Sequence, residues 1–563
     1  MDKIRKIVLI SIPLFIIFSI ILLKVVINKE DSDLFLRNLS SIIKYSFIDN
    51  VELPNRNIDV LEYELKLDIF QNEEIIKENA KIKLVTNDKS QKIIELDLYD
   101  NFKINFVKIE KTEVDYNYSD NKIEIDRSNI LTDTLNLEID FEGEPQNLGF
   151  GSFWMKEKNN KKFVATLNEP IYASTWFPCN DTPADKALLT ISITNDSNIV
   201  SLSNGKLKKT FSEGNRRTYI WNSKYPISTY LISIYSGEYK NFSQKYFSTT
   251  DTMDIDYYVT EMNLQDAKKD FAKHPEYLKV LSELFGEYPF IKDKYGIAEI
   301  LWQKGAMESQ TITGIGSNFI SGMNFYESML IHELAHHWWG NSVTPKTWKD
   351  IWLNEGFATY SEALYYEKIS GFDALKSTMS SFKSRINSDD IQKLYNPGTN
   401  LFSSTVYNKG AWVLHMLRKE IGDFLFFVGL KAYYNDFQYK NAEIRDFKKV
   451  FEKTSKRNLD KFFNQWIFEG SGFLELEIKL SEKVISKSEI ELKIDIKQIQ
   501  TGYENYHFPL DIELEDSSGN IKNISSYIKG NTTLKYKLKN RLKNAYFDKN
   551  NWLLAFIETE IYR

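Results

Sequence analysis

The spacing of apolar positions changes character several times along the chain. An uncharged apolar run, Ile7 to Leu23, comes first. It extends to Ile27 if Lys24 snorkels, giving about 30 Å of helix, enough to cross a bilayer core. Lys3, Arg5 and Lys6 precede the run and Glu30, Asp31 and Asp33 follow it, so the positive-inside bias predicts a single-pass anchor with the first residues in the cytoplasm and the bulk of the chain outside. A cleaved signal peptide is the competing reading, but no small-x-small site follows the run and no cysteine is placed for a lipoprotein anchor. The expectation is a cytoplasmic tail and transmembrane anchor over 1–28 and a polar linker over 29–54.

From Leu61 the period becomes two. Tyr63 to Ile69, Ala80 to Val85, Ile93 to Leu98 and Leu135 to Phe141 alternate as half-buried strands, and Ala187 to Ile193 and Tyr230 to Ile234 continue the pattern. These define an all-β N-terminal domain over 55–242. Helical spacing takes over near Leu264 and dominates to about Gly470, giving a mostly helical domain over 243–470. Strands return in Leu476 to Ile478, Ile490 to Ile496 and Leu510 to Leu514, and the segment 471–563 is the size of one β-sandwich. The predicted fold class is therefore multidomain α+β, with no internal repeat or low-complexity tract.

Composition narrows the function. At 563 residues, 42% hydrophobic and 14% aromatic, the chain supports several cores and fits a large enzyme better than a small binding module. A net charge of -6 and pI near 5.8 offer no basic footprint, which excludes nucleic acid as a partner. Cys179 is the only cysteine, so an intrachain disulfide and a Cys/His zinc site are both excluded. Richness in Lys, Ile and Asn points to a bacterial source, and nothing in the pattern sets the oligomeric state.

The helical domain carries His332-Glu333-Leu334-Ala335-His336 and then, after eighteen intervening residues, Glu355 in Trp352-Leu353-Asn354-Glu355-Gly356. Histidines four apart on a helix face one side, where their imidazoles can meet one zinc ion. Glu333 lies roughly 100° round the helix, placed to act on a water at the metal as general base. Glu355, on a second apolar-patterned segment, completes a two-histidine, one-carboxylate set that leaves the fourth position open, as a catalytic zinc requires. One zinc per chain is expected. A chance H-E-x-x-H is the competing reading; with six histidines in the chain and a glutamate correctly placed downstream, it is the weaker one. His337, Trp338 and Trp339 continue the same helix and read as packing around the site. Glu362, seven residues after Glu355, reads equally well as a carboxylate orienting a zinc histidine and as a solvated helix charge.

The zinc motif alone does not separate endopeptidases from aminopeptidases. Gly305-Ala306-Met307-Glu308-Ser309, in an extended stretch (Ile297 to Ile315) some twenty residues before the first histidine, resembles the G-A-M-E-N signature of the aminopeptidase N and leukotriene-A hydrolase family of zinc metalloenzymes, the gluzincins. Asn168-Glu169-Pro170, Trp176 to Asp181, Trp352 to Ala358 and Val406-Tyr407-Asn408-Lys409-Gly410 match in the family's order, over roughly residues 60 to 470. The resemblance implies a thermolysin-like catalytic domain with Glu308 and Glu169 receiving the substrate's ammonium, Gly305 and Ala306 against its backbone, and Tyr407 donating a hydrogen bond to the oxyanion. Two departures bear on the amine pocket. Leu167 stands where many relatives have glutamine, and Ser309 where asparagine is usual. The chain also stops after the expected sandwich, where many relatives add a helical domain that roofs the site, so an open cleft is expected unless another subunit covers it. The function implied is a membrane-anchored, outward-facing zinc aminopeptidase acting on peptides with a free N-terminus. The rivals are a zinc endopeptidase or epoxide hydrolase on the same scaffold, and a non-catalytic surface receptor, against which an intact Glu333 and Tyr407 argue.

Overall fold

Period-two stretches fold as long strands because one face of each can be buried while the other meets water. Ile58–Phe70, Ile75–Thr86, Thr134–Gly143 and Lys186–Asp196 alternate in this way and lie in a nine-stranded sheet. Within it Ile58–Phe70 runs parallel to Lys186–Asp196 and antiparallel to Ile75–Thr86. The computed structural model describes residues 56–562 other than 89, 131, 149, 150, 159, 160, 250, 387–391, 487 and 488. The apolar run Ile7 to Leu23 and the linker read into 29–54 lie outside the described residues. Among the described residues, no helix is long and apolar enough to cross a membrane.

A four-stranded sheet holds Lys161–Leu167 between Ser152–Lys158 and Ile234–Gly237, and delivers the chain to Asn168 and Glu169. The strand expected over Tyr230 to Ile234 is instead a short 3-10 turn, Thr229–Leu231, followed by the strand Ile234–Gly237. Every residue from Ile227 to Gly237 is buried, and the carbonyls of Leu231 and Ile232 are taken by the side-chain amides of Asn204 (2.8 Å) and Asn168 (2.6 Å) rather than by a neighbouring strand.

A five-stranded sheet follows in the order Lys240–Phe247, Thr252–Val259, Tyr295–Ile300, Thr313–Gly316, Ala306–Met307. It begins before residue 243, and three of its strands interrupt the helical spacing read from Leu264. Tyr295–Ile300 is buried at every position, so its sequence carries no period of two. Among the described residues Ala306–Met307 pairs only with Thr313–Gly316, and its other edge has no strand beside it.

The helices Glu327–Ala335, Phe372–Arg385 and Gly410–Ile421 pack against Trp352–Ser370, and Glu327–Ala335 also meets the edge strand Ala306–Met307. All residues from Trp352 to Tyr365 are buried. A Cβ on Gly356 would meet the Cα of Gly410 at 2.8 Å, so these two glycines permit a backbone approach that no other residue would allow. After Gly470, the strands Leu474–Ser486, Glu489–Gln498, Thr532–Leu538 and Ala555–Tyr562 form one sheet, and His507–Asp516, Ile521–Lys529 and Leu542–Phe547 another. Contacts such as Gln465 Nε2 to the His507 carbonyl (2.7 Å) and Lys419 to Asp511 (2.5 Å) tie these sheets to the helices.

Candidate active site

The helix bearing the first histidine ends at Ala335 instead of continuing through Trp339. His336 keeps helical backbone angles (φ -55, ψ -25) and its N–H donates to the His332 carbonyl (3.2 Å), so the two side chains still face the same way. The chain then turns at Gly340, whose φ of 128 disfavours any side chain.

The facing atoms form a small triangle. His332 Nε2 and His336 Nε2 are 3.1 Å apart, and each is 3.4 Å from Glu355 Oε2. Tetrahedral zinc ligands at about 2.0–2.1 Å from the metal stand about 3.3 Å from one another, so the triangle has the edge that three such ligands need. The other ring nitrogens are engaged outward: His332 Nδ1 on Glu362 (2.9 Å) and His336 Nδ1 on the Trp339 carbonyl (3.1 Å). Each Nδ1 thus donates outward, and a metal would meet the Nε2 lone pair of each ring on displacing the proton that, against the effect of burial, the neighbouring carboxylates favour there. Glu355 Oε2 is buried without a hydrogen-bond partner. Burial pushes Glu355 upward, but the two imidazoles outweigh it and hold the carboxylate at about 2, charged at any physiological pH. This donor set fits one zinc ion.

Three further carboxylates face the triangle. Glu333, on the metal helix, is raised to about 7 by burial, with Glu308 and Glu355 adding to the rise and the imidazoles opposing it. Glu169, Glu308 and Glu355 bring carboxylate oxygens within 4.8 Å of one another. Burial holds Glu169 and Glu308 above the usual carboxylate range, and Glu169 Oε1, Glu308 Oε1 and Glu333 Oε2 are buried with no partner. Buried acids in such numbers call for cations, and one metal satisfies only part of that demand.

Each acid is held by a distinct support. Asn168 secures the loop carrying Glu169: its amide donates to the Ile232 carbonyl (2.6 Å) and its Oδ1 accepts from the Trp176 indole (3.0 Å). The Trp176 to Asp181 stretch is thus structural, with Asp181 accepting from Ser174 N (3.2 Å) and the Thr229 hydroxyl (3.0 Å). Glu308 follows the edge strand, its carbonyl accepting from the Asn341 amide (2.7 Å), while half-buried Lys186 Nζ donates to the carbonyls of Asn341 (2.9 Å) and Ser342 (2.8 Å). Trp338 and Trp339 pack in the core as expected, but His337 does more than pack. Its Nε2 accepts from Thr311 N (3.1 Å) and its Nδ1 donates to the Glu333 carbonyl (3.2 Å), bracing the metal helix against the turn that follows Glu308. Burial holds this imidazole at about 3, neutral as both bonds require. No spacing in the sequence signals His337, Asn341 or Lys186 in these roles.

Tyr407 sits in a π-helical turn, Thr405–Lys409, its ring stacked on that of His332 at 5.8 Å and 17°. Burial raises its phenol well above the ordinary value, so it remains a hydrogen-bond donor. Buried Lys409 anchors the turn through the Gly470 carbonyl (2.9 Å). All nine residues singled out in the sequence (His332, His336, Glu355, Glu333, Tyr407, Glu308, Glu169, Gly305 and Ala306) line one cavity of about 480 Å³. Leu167 lines it too; Ser309 does not, its hydroxyl being bonded to the Tyr235 phenol (2.9 Å).

Residues 60–231 match the Peptidase M1 N-terminal domain and residues 270–466 the Peptidase family M1 domain. Probable aminopeptidase 2 of Sulfurisphaera tokodaii is 28% identical over 440 residues, 73% of this chain and 53% of its own length. Mouse aminopeptidase N is 28% identical over 481 residues, 74% of this chain and 48% of its own. The chain thus spans about half the length of these curated relatives. Two solved structures share the fold. Aminopeptidase A of Legionella pneumophila has a TM-score of 0.78 at 17% identity, over 91% of this chain and 61% of that one. An M1 zinc metallopeptidase of Deinococcus radiodurans, solved as a mutant with a Tyr-Ser-Ala substrate, has a TM-score of 0.67 at 22% identity, over 75% of this chain and 97% of that one.

Proposed function

Since this chain belongs to peptidase family M1, we propose that it is a zinc aminopeptidase, removing the first residue from peptides that have a free amino terminus. The observation that carries this reading is the pair of buried carboxylates Glu169 and Glu308 beside the metal donors, each with one oxygen, Oε1, that has no hydrogen-bond partner among the described residues. A substrate ammonium is the cation they lack, and its capture sets the first peptide bond at the metal.

His332, His336 and Glu355 would hold the zinc, which when bound supplies a Lewis acid that polarises the scissile carbonyl and makes water more acidic. Glu333, near neutrality in its pKa, takes a proton from the attacking water and returns it to the departing amine. The Tyr407 phenol donates to the oxyanion as the carbonyl carbon becomes tetrahedral. The free edge of Ala306–Met307 accepts the substrate backbone as an added strand, and Gly305, where a Cβ would find only Trp302 at 3.7 Å, lets that backbone come close. Glu362 and the Trp339 carbonyl keep the two imidazoles in the tautomer the metal needs. No side chain forms a covalent intermediate.

In the same reading Ile7 to Leu23 anchors the protein with its catalytic region outside the cell, the β domain spans 55–242, the catalytic domain 243–470 and a sandwich 471–563. Full-length chain recovered from the cytosolic fraction would refute the anchor. A panel of aminoacyl chromogenic amides, each with a free and an acetylated amine, assayed with and without chelator, tests the activity. Chelator-sensitive turnover of the free amines alone is expected. Acetylated or internal bonds cut at equal rates would make the protein an endopeptidase.

A further inference from the structure

The cavity that holds five glutamates is also lined by two cations, Lys304 and Arg385. They reach it from separate elements. Lys304 immediately precedes Gly305 on the way into the edge strand, and Arg385 is the last residue of the helix Phe372–Arg385. Both are exposed, whereas all five glutamates are buried. Arg385 lies over the Phe382 ring at 5.7 Å, and among the described residues no carboxylate pairs with it. Among the described residues the cavity is therefore acidic at its depth and basic at its rim.

A rim of that sign opposes the entry of a ligand that is only a cation, yet the depth of the cavity is built to take one. A substrate with charges of both signs resolves the conflict, because it enters oriented, amine first. The direction of the edge strand says where its negative end falls. With the ammonium at Glu308, a peptide lying along Ala306–Met307 runs back past Gly305 toward Lys304. Four positions separate Lys304, in the bend before the strand, from Glu308, at most about 13 Å at roughly 3.3 Å per residue. The terminal carboxylate of an extended tripeptide lies about 10 Å from its amine by the same measure, within the sweep of a lysine side chain.

Resting on the aminopeptidase reading, we propose that Lys304 and Arg385 form a subsite for a second, anionic group of the substrate, a carboxylate borne by an acidic side chain or by the C-terminus of a short peptide. The preferred substrates are then short peptides that carry a negative charge within about 10 Å of their amine.

Two matched pairs separate the sources: glutamyl against glutaminyl p-nitroanilide, and the tripeptide Leu-Gly-Gly as free acid against its C-terminal amide. The anionic member of at least one pair should be favoured by about fivefold in kcat/KM at low salt, the scale of an exposed charge pair, and by less as salt rises. Calorimetric binding of the same four compounds to Glu333→Gln should give the same preference as a ratio of Kd values, independently of turnover. In the double variant Lys304→Gln/Arg385→Gln both ratios should approach one. A preference confined to the first pair assigns the N-terminal side chain; one confined to the second assigns the C-terminus. Ratios near one in both pairs, or ratios that survive the double substitution, would overturn the subsite. Were no free-amine peptide hydrolysed at all, the aminopeptidase reading would fall, while the Kd ratios would still decide the subsite.

Discussion

The three metal donors and the two amine carboxylates share one cavity, yet they arrive in it by different routes. His332 and His336 are set by a single turn of helix, and Glu355 comes from a helix whose crossing is fixed by the bare backbone contact of Gly356 with Gly410. Glu169 and Glu308 come from a loop and a strand end in different sheets, each held by an asparagine side chain, Asn168 or Asn341, reaching across to another segment. The first group is built from local periodicity and close packing, the second from long-range polar bonds. Damage to the first should cost the chemistry itself. Damage to the second should spare the metal and cost the capture and choice of substrate.

The largest expected effect tests that division at the metal. His336→Ala removes one of three protein ligands, and zinc measured by elemental analysis should be lost along with all turnover. Glu333→Gln leaves the donor triangle untouched and should retain zinc while lowering kcat by about a hundredfold or more, the scale of a missing general base. Loss of zinc in Glu333→Gln would make Glu333 a structural partner of the site, and the base would have to be sought elsewhere.

Next in size is Glu308→Ala. Breaking one side of a buried charge pair costs about 2–5 kcal/mol, so kcat/KM for free-amine peptides should fall by roughly thirtyfold to several thousandfold. Zinc content should be unchanged, and the preference for free over acetylated amines should shrink in step. A variant that lost rate but kept its preference would show that Glu308 supports the fold and not the amine.

The same division marks what the chain disclosed before its structure. His332, Glu333 and His336 could be read from spacing because a helix converts sequence distance directly into direction. The long strands could be read because a half-buried sheet imposes a period of two, and Tyr295–Ile300 could not because burial on both faces erases it. Glu169, Glu308 and Tyr407 entered only through resemblance; nothing in their neighbourhoods distinguishes them from other buried or surface residues. His337 was legible as packing but not as the brace between Thr311 and Glu333, since that bond depends on a turn whose position only the tertiary structure sets.

A smaller effect, on stability, probes the helix crossing. With a Cβ on Gly356 only 2.8 Å from the Gly410 backbone, Gly356→Ala must push the two segments apart, at about 1–3 kcal/mol, the usual cost of overpacking. The shift would move the helix of Glu355 relative to the turn of Tyr407, so zinc affinity and kcat should fall together while the preference for free amines holds. An unaltered denaturation midpoint would mean that the crossing is looser than the contact implies.

The smallest effect separates two residues that the sequence placed in one pocket. Leu167 and Ser309 both depart from the family pattern beside the amine carboxylates, but they face opposite ways. Leu167 forms part of the cavity wall, whereas the Ser309 hydroxyl is bonded to the Tyr235 phenol (2.9 Å) in the core. Leu167→Gln exchanges an apolar surface for an amide where the first substrate residue would rest, and should change the ranking of leucyl against glutaminyl chromogenic amides by about tenfold, the low end of what one methylene in a pocket is worth. Ser309→Ala removes a buried hydrogen bond and leaves a phenol partly unsatisfied, costing about 1–3 kcal/mol of stability, with no change in that ranking. A ranking that moves with Ser309 and not with Leu167 would mean that the turn after Glu308 adjusts on substrate binding, and that the two supports of the amine site are coupled through it.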